Sequence, residues 1–563
     1  MIAKICFLTA LAACIGLLLT GFAAGLVESS LTLYSSGVVQ QTPTGTYSYI
    51  ISVSGTNYQM TNGTTGQIDY QSTNSSQVFS NVVGNCSTGG TIDVAIGVYT
   101  VNTTWLITGI NGITLNFENG AKLVAGNGLD TNILWLDRCD NWVIDGITVD
   151  GNSAENSEDS NGIWITGDNN VINNALVFDC RRVGIEVNGV HNGIINSKSY
   201  NCGWNGITAS DLCIDSYVVN NEVYGCSDVG IATYGVGTLI AGNYIHDMNG
   251  TTGDGHSTRV GITVEGGCDA IITQNTIHNC PVGVWVGGFD NCTISNNVIT
   301  GGNVVSAQYG IYLDTSTQYT SVTDNHVTGM YCNTTAHLGG IGIFLSEGST
   351  FNTISGNIVS QCGSGGIFLD STSNNNTVVL NYAFDTQTGR YYAMEVGGSG
   401  IEIAGSSNYI SQNQAFDDRS GSARTQQFGI AMDNGAYNNT LIGNYVYNNY
   451  SPWTNWQIFD HNVPENTMIN NIGYNPVGYI ANPISGNTAY LVDSGSNSTW
   501  ISGRVYTNTG SPKVLNISAG TVSAVAQNGV TLFTTTGCTV TLQPGDTFSI
   551  TFSTAPTINV IGQ

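Results

Sequence analysis

From residue 162 onward the chain repeats one pattern: a Gly, then residues that alternate apolar and polar. The series runs Gly162-Ile163, Gly184-Ile185, Gly206-Ile207, Gly230-Ile231, Gly261-Ile262, Gly283-Val284, Gly310-Ile311, Gly342-Ile343, Gly366-Ile367, Gly400-Ile401 and Gly429-Ile430. Alternation of this kind is the period of a strand with one buried face. Behind a second short apolar run each repeat carries an Asn. The predicted column is Asn174, Asn196, Asn221, Asn243, Asn275, Asn297, Asn325, Asn357, Asn381, Asn413, Asn444 and Asn471, the first two uncertain in register by one residue. A period of 22 to 34 residues made of short strands predicts a solenoid of β-coils. Stacked coils would bring the Asn side chains into a ladder, each amide bonding to its neighbours above and below.

The spacing also predicts where function lies. Gly to Asn is nearly constant at 12 to 15 residues, whereas Asn to the next Gly varies from 8 to 19. The insertions therefore enter just before the Gly-Ile strand and rim the face it presents, and loops gathered on one face of a repeat array mark a binding face.

Flanking segments complete the plan. Residues 1–27 hold one early Lys4 and then an apolar run, which reads as a signal peptide or a signal anchor with the rest of the chain outside the cell. Residues 28–65 alternate as an N-terminal β segment. Val78, Phe79, Val82 and Val83 predict a short amphipathic helix over Ser75–Asn85, suited to capping an open first coil. The helix leads into Gly89-Gly90-Thr91 and then Gly97-Val98-Tyr99. A capping helix followed by this Gly-Gly-Thr…Gly-x-Tyr run resembles the pectin-lyase-like superfamily, which implies a right-handed parallel β-helix over residues 66–484. Residues 485–563 alternate as short strands with turn signals at Asn508-Thr509-Gly510 and Asn528-Gly529, and predict a small antiparallel β-domain. The fold class is all-β.

Charge narrows the partners. The formal net charge of −26, with 12 Lys plus Arg, excludes general nucleic-acid binding and disfavours polyanions unless a divalent cation bridges the carboxylates. Sequons such as Asn62, Asn249 and Asn516 permit glycosylation outside the cell. Cys180, Cys202, Cys226, Cys280 and Cys362 fall in one column, read as stacked buried thiols, with disulfides between adjacent coils as the other option. No Cys/His spacing predicts a metal site, although the acidic column would also suit Ca²⁺.

On the Gly-Ile strand the outward position two residues after Gly carries Trp164, Trp285, Tyr312, Phe344 and Phe368, which would suit the apolar faces of sugar rings. Four residues after Gly stand Glu265, Asp314, Asp370 and Asp433. Glycoside hydrolysis needs two carboxylates, and Glu265 with Asp314, two coils apart at about 10 Å, lies near the inverting spacing. Asp254, His256 and Arg259 would assist from the loop beside Glu265. Asp370 with Glu402, and Arg390 from the next insertion, form a second choice. The motifs of polygalacturonase-like relatives are missing: aligned coils carry Asp159-Ser160-Asn161, Arg181-Arg182 and Gly203-Trp204-Asn205 in their place. Two functional classes follow: an extracellular or cell-surface β-helix that binds, and on one reading hydrolyses, a polysaccharide, or a non-catalytic structural or adhesive surface protein.

Overall fold

The computed structural model describes residues 47–474, 489–490, 504–507 and 513–562, less 87–88, 158–159, 249–258, 289, 303–307, 331, 334–337, 387–397, 420–424, 434, 448, 450–457, 461–465, 470 and 555. The expected leader, residues 1–27, lies outside the described residues.

One coil illustrates the rest. Strand Ile271–Thr273 passes through a tight turn at Gln274-Asn275 into strand Thr276–His278, rounds a corner at Asn279–Pro281, and continues as strand Val282–Gly287. Equivalent strands pair in parallel with those of the coils above and below in three sheets of 18, 15 and 14 strands, the first of which also takes in three N-terminal strands joined antiparallel. The three-residue strands point their middle residue inward, so Ile272, Ile277, Ile294 and Ile299 are buried while their neighbours face out. One continuous hydrophobic core results, running from Ile51 to Met468.

The Asn ladder occupies the tight turn. Asn275 Nδ2 donates to Ile240 O at 2.9 Å and to Asn297 Oδ1 at 3.0 Å, and Asn275 N donates to the same Oδ1 at 3.0 Å. The pattern runs unbroken from Asn221 to Asn471, each member buried. Both donors and both lone pairs of every inner amide are used. Asn174 and Asn196 are not part of it: they take positive φ at 54° and 49°, and the ladder position there falls one residue later, on Ala175 and Ser197. Asn tolerates the left-handed turn position that precedes the ladder, which explains the displacement.

A second ladder stands at the turn after the Gly-Ile sheet. Asn352, Asn376, Asn408 and Asn439 each receive the backbone N–H of the coil before or donate their own onward, ending on Asn466. Its members precede those of the first ladder by five residues, as in Asn352 and Asn357.

The Gly of each Gly-Ile pair turns the corner into the third sheet where coils approach too closely for a side chain. A Cβ on Gly283 would stand 2.5 Å from Gly310 O and 2.6 Å from Ile299 Cγ2. The five column cysteines lie inward as buried thiols. Burial pushes the Cys280 and Cys362 thiols up to about 12.

At the N-terminal end, strands Tyr49–Ser54, Asn57–Asn62 and Ile68–Ser72 form an antiparallel meander. Helix Ser75–Asn85 then packs Val78, Phe79, Val82 and Val83 over the first coil, with Phe79 stacked on Trp105 at 4.3 Å. Asn74 caps it, accepting from Ser76 N and Gln77 N. Beyond the coils a small β-domain holds its own core of Leu515, Val525, Val540, Leu542, Phe548 and Ile550 between two sheets, antiparallel save for the pair Ala489–Tyr490 with Arg504–Thr507.

Replacing Asn297 by Leu removes the acceptor for Asn275 N and Nδ2 and the donor to Ile272 O. The expected cost is about 1–3 kcal/mol in denaturant unfolding, since buried polar groups are left unpaired. Leu in place of the outward Asn296 should cost less, despite its left-handed φ of 55°.

Candidate functional site

The outward row of the Gly-Ile sheet is continuous in register: Trp135, Trp164, Glu186, Thr208, Ala232, Thr263, Trp285, Tyr312, Phe344, Phe368, Glu402, Ala431 and Phe459. Two chemically different stretches emerge from it.

The aromatic stretch is a stack. Tyr312 and Phe344 lie 5.1 Å apart at 14°, and Phe344 and Phe368 5.2 Å apart at 12°. Rings in register on adjacent coils meet face to face, so their faces are spent on one another and Phe368 is buried. Tyr309 leans onto Tyr312 and Phe344 as well. Burial, and then the charge of Asp314, pushes the Tyr312 phenol up to about 12.

The second stretch is a floor of small residues. Thr208, Ala232 and Thr263, all buried, lie between Glu186 on one side and Trp285 on the other. Larger side chains converge above them. Glu186 accepts from Asn161 Nδ2 and from Ser210 Oγ, each at 2.6 Å, with Arg182 at 3.9 Å. Asp228 accepts from Trp204 Nε1 at 2.7 Å, and the Arg182 guanidinium lies over the Trp204 ring at 4.6 Å. Burial, and then the charges of Glu265, Asp228 and Glu186, pushes the Tyr234 phenol up to about 12. Glu265 folds back along its strand toward Thr263 Oγ1 at 3.4 Å. Burial first, and Asp228 after it, holds the Glu265 carboxyl above the ordinary range. Asn205 Oδ1 is buried without a hydrogen-bond partner.

Of the residues expected from sequence, Glu265 and Trp285 border this floor, and Trp164 stands one coil beyond Glu186. Trp164 stacks on Trp135 at 4.8 Å. Trp285 packs with Val229, Ala232, Val260 and Val282, and its indole lies over Gly287, whose absent Cβ would be 3.2 Å away. Gly287 is the register partner of Asp314. Asp314 itself turns to Ser346 Oγ at 3.0 Å, so no described hydrogen bond joins it to Glu265. Arg259 stands in the left-handed region at φ 51°, next to the strand that pairs beside Asp228. Asp370 closes a turn, accepting from Glu347 N, Thr372 N and Oγ1, and Ser373 Oγ. Glu402 meets Asp433 instead, and burial followed by that neighbour raises its carboxyl well above the usual range. Asp254, His256 and Arg390 lie outside the described residues. Among the described residues no three His, Cys, Asp or Glu side chains converge as a metal site.

Asp228, Tyr234 and Trp204 were missed by sequence reasoning. The available signal was the run of small residues Thr208, Ala232 and Thr263 in a column otherwise rich in large ones.

Residues 255–394 match the family described as a right handed beta helix region. No curated protein sequence matches the chain. Among solved structures, the Dettilon tailspike protein is 14% identical, with 86% of this chain and 91% of that one covered and a TM-score of 0.42. The A-module of the mannuronan C-5 epimerase AlgE6 of Azotobacter vinelandii is 13% identical over 72% and 96%, with a TM-score of 0.36. The DFA-IIIase of Arthrobacter chlorophenolicus A6 is 14% identical over 66% and 90%, with a TM-score of 0.37.

Replacing Asp228 by Asn removes a negative charge that opposes ionisation of Glu265. The Glu265 carboxyl should then titrate at lower pH, measured by carbon-13 NMR of its side chain. An unchanged titration would mean that the two groups do not sense each other.

Proposed function

We propose that this right-handed parallel β-helix, built on the pectin-lyase-like plan, engages a neutral glycan across the outer face of its Gly-Ile sheet. The observation that carries the reading is the convergence of Glu186, Asp228, Glu265 and Tyr234 above a floor of small residues, with Trp285 at one end and Trp164 one coil beyond Glu186 at the other. Carboxylates accept hydroxyl hydrogens, and indoles cover sugar C–H faces. The scarcity of cations in a chain of net charge −26 favours an uncharged sugar over a polyuronate.

The same cluster supports acid–base chemistry. Glu265, whose carboxyl is raised by burial, is the group suited to give a proton to a glycosidic oxygen. Asp228, fixed by Trp204, is the carboxylate that acts on the other side of the bond; Asp314 is its competitor for that role. The apolar leader fits export, so the glycan is met outside the cell.

The stacked Tyr312, Phe344 and Phe368 favour a second reading, in which this face is a closed wall and the protein is structural or adhesive. One comparison separates the two. Trp164→Ala with Trp285→Ala should weaken glycan binding on an array by about 1–3 kcal/mol. Glu265→Gln should keep binding and lose reducing-end release by at least two orders of magnitude, as removal of a general acid does. Asp228→Asn and Asp314→Asn identify the partner by which of them matches that loss. Binding untouched by the double Trp change leaves the structural reading standing.

A further inference from the structure

Three cysteines of the inward column stand on consecutive coils. Strands Leu176–Phe178, Lys198–Tyr200 and Glu222–Tyr224 pair in register, and Cys180, Cys202 and Cys226 each follow two residues after their strand ends. The parallel ladder continues through them: Gly203 N donates to Cys180 O at 2.9 Å, and Ser227 N donates to Cys202 O at 3.1 Å. Coil spacing therefore sets their Cα atoms at about 4.8 Å, inside the window a disulfide spans. All three point into the core, buried to 1% exposure or less, with Cys202 on the coil between the other two. The two remaining cysteines of the column lack such a neighbour. Met248 precedes Cys280 and Gly302 follows it, while Met330 and Thr386 flank Cys362.

The geometry points to a single disulfide in this stack that always includes Cys202 and takes either Cys180 or Cys226, never both. Because the folded thiols are covered, the bond forms as the coils close, by exchange with a small-molecule disulfide. One cysteine thiolate attacks that disulfide, releasing one small thiol and leaving a mixed disulfide. A neighbouring cysteine thiolate then displaces the second small thiol. The pair loses two protons and two electrons, and the oxidant is reduced to two thiols. The third cysteine is left as a thiol because Cys202 can serve one partner only.

The test refolds the full chain with oxidised and reduced glutathione, quenches with acid, alkylates in denaturant without reductant, and maps peptides by mass. One internal disulfide is expected, with Cys202 in every linked peptide and with Cys280 and Cys362 fully alkylated. Cys180→Ser should shift all linkage to Cys202–Cys226, and Cys202→Ser should leave both outer cysteines alkylated. Ser is tolerated in this interior, where Ser199 already sits beside Cys202. As a second reading, reductant should lower the melting temperature of the oxidised wild type but not of Cys202→Ser. Full alkylation of all three cysteines in the refolded wild type, or a Cys180–Cys226 link, would overturn the proposal.

Discussion

Everything in this molecule depends on a buried amide that bonds along the stack. A solenoid coil must turn three times, and each turn strands backbone groups where water cannot reach them. The Asn ladder answers that at one turn: each Oδ1 accepts a backbone N–H and an amide N–H from the coil before, and each Nδ2 donates to a carbonyl there. Low dielectric makes such a chain of bonds strong when complete and expensive when broken. With that turn fixed, the preceding residue must enter the left-handed region, as Gln274, Asn296, Asp324 and even Leu380 do. Sequence freedom is pushed to the other corners.

Much of this was legible because it repeats under a rigid constraint. Asn at the ladder is set by hydrogen bonds of about 3 Å to the next coil, and Gly at the corner by backbone so close that an added Cβ would stand under 3 Å from it. The second ladder was equally readable, since Asn352, Asn376, Asn408, Asn439 and Asn466 each stand five residues before a member of the first. It escapes notice because it lapses across the middle coils, where Ser216, Thr238, Ala270, Cys292 and Thr320 hold the position. Asn174 was misplaced for a related reason: two adjacent turn positions both favour Asn, and composition alone does not say which faces inward.

The site was less legible, and the cause is side-chain direction. Periodicity assigns Trp285, Tyr312 and Glu265 to the outer face, but it does not say whether a side chain stands off the sheet or lies along it. Trp285 lies over Gly287, which stands between Glu265 and Asp314 in register, and Glu265 folds back along its own strand to Thr263. The aromatic column likewise divides. Where three rings follow one another on adjacent coils they consume each other's faces, and where small residues interrupt the column polar groups gather instead.

That division bears on chemistry. An acidic protein gains little from one more carboxylate on its surface, where water and salt screen it. Over Thr208, Ala232 and Thr263 the carboxylates are partly withdrawn from water, and there they act on one another. Asp228 accepts from the indole of Trp204, and Glu186 from an amide and a hydroxyl. Glu265 is raised by burial and then by the charge of Asp228. An acid raised by burial beside carboxylates that already accept hydrogen bonds gives the surface two unlike groups, the asymmetry that acid–base chemistry draws on. Here the asymmetry comes from which strand positions carry small residues, and those positions are set by the same coil register that the Asn ladder fixes.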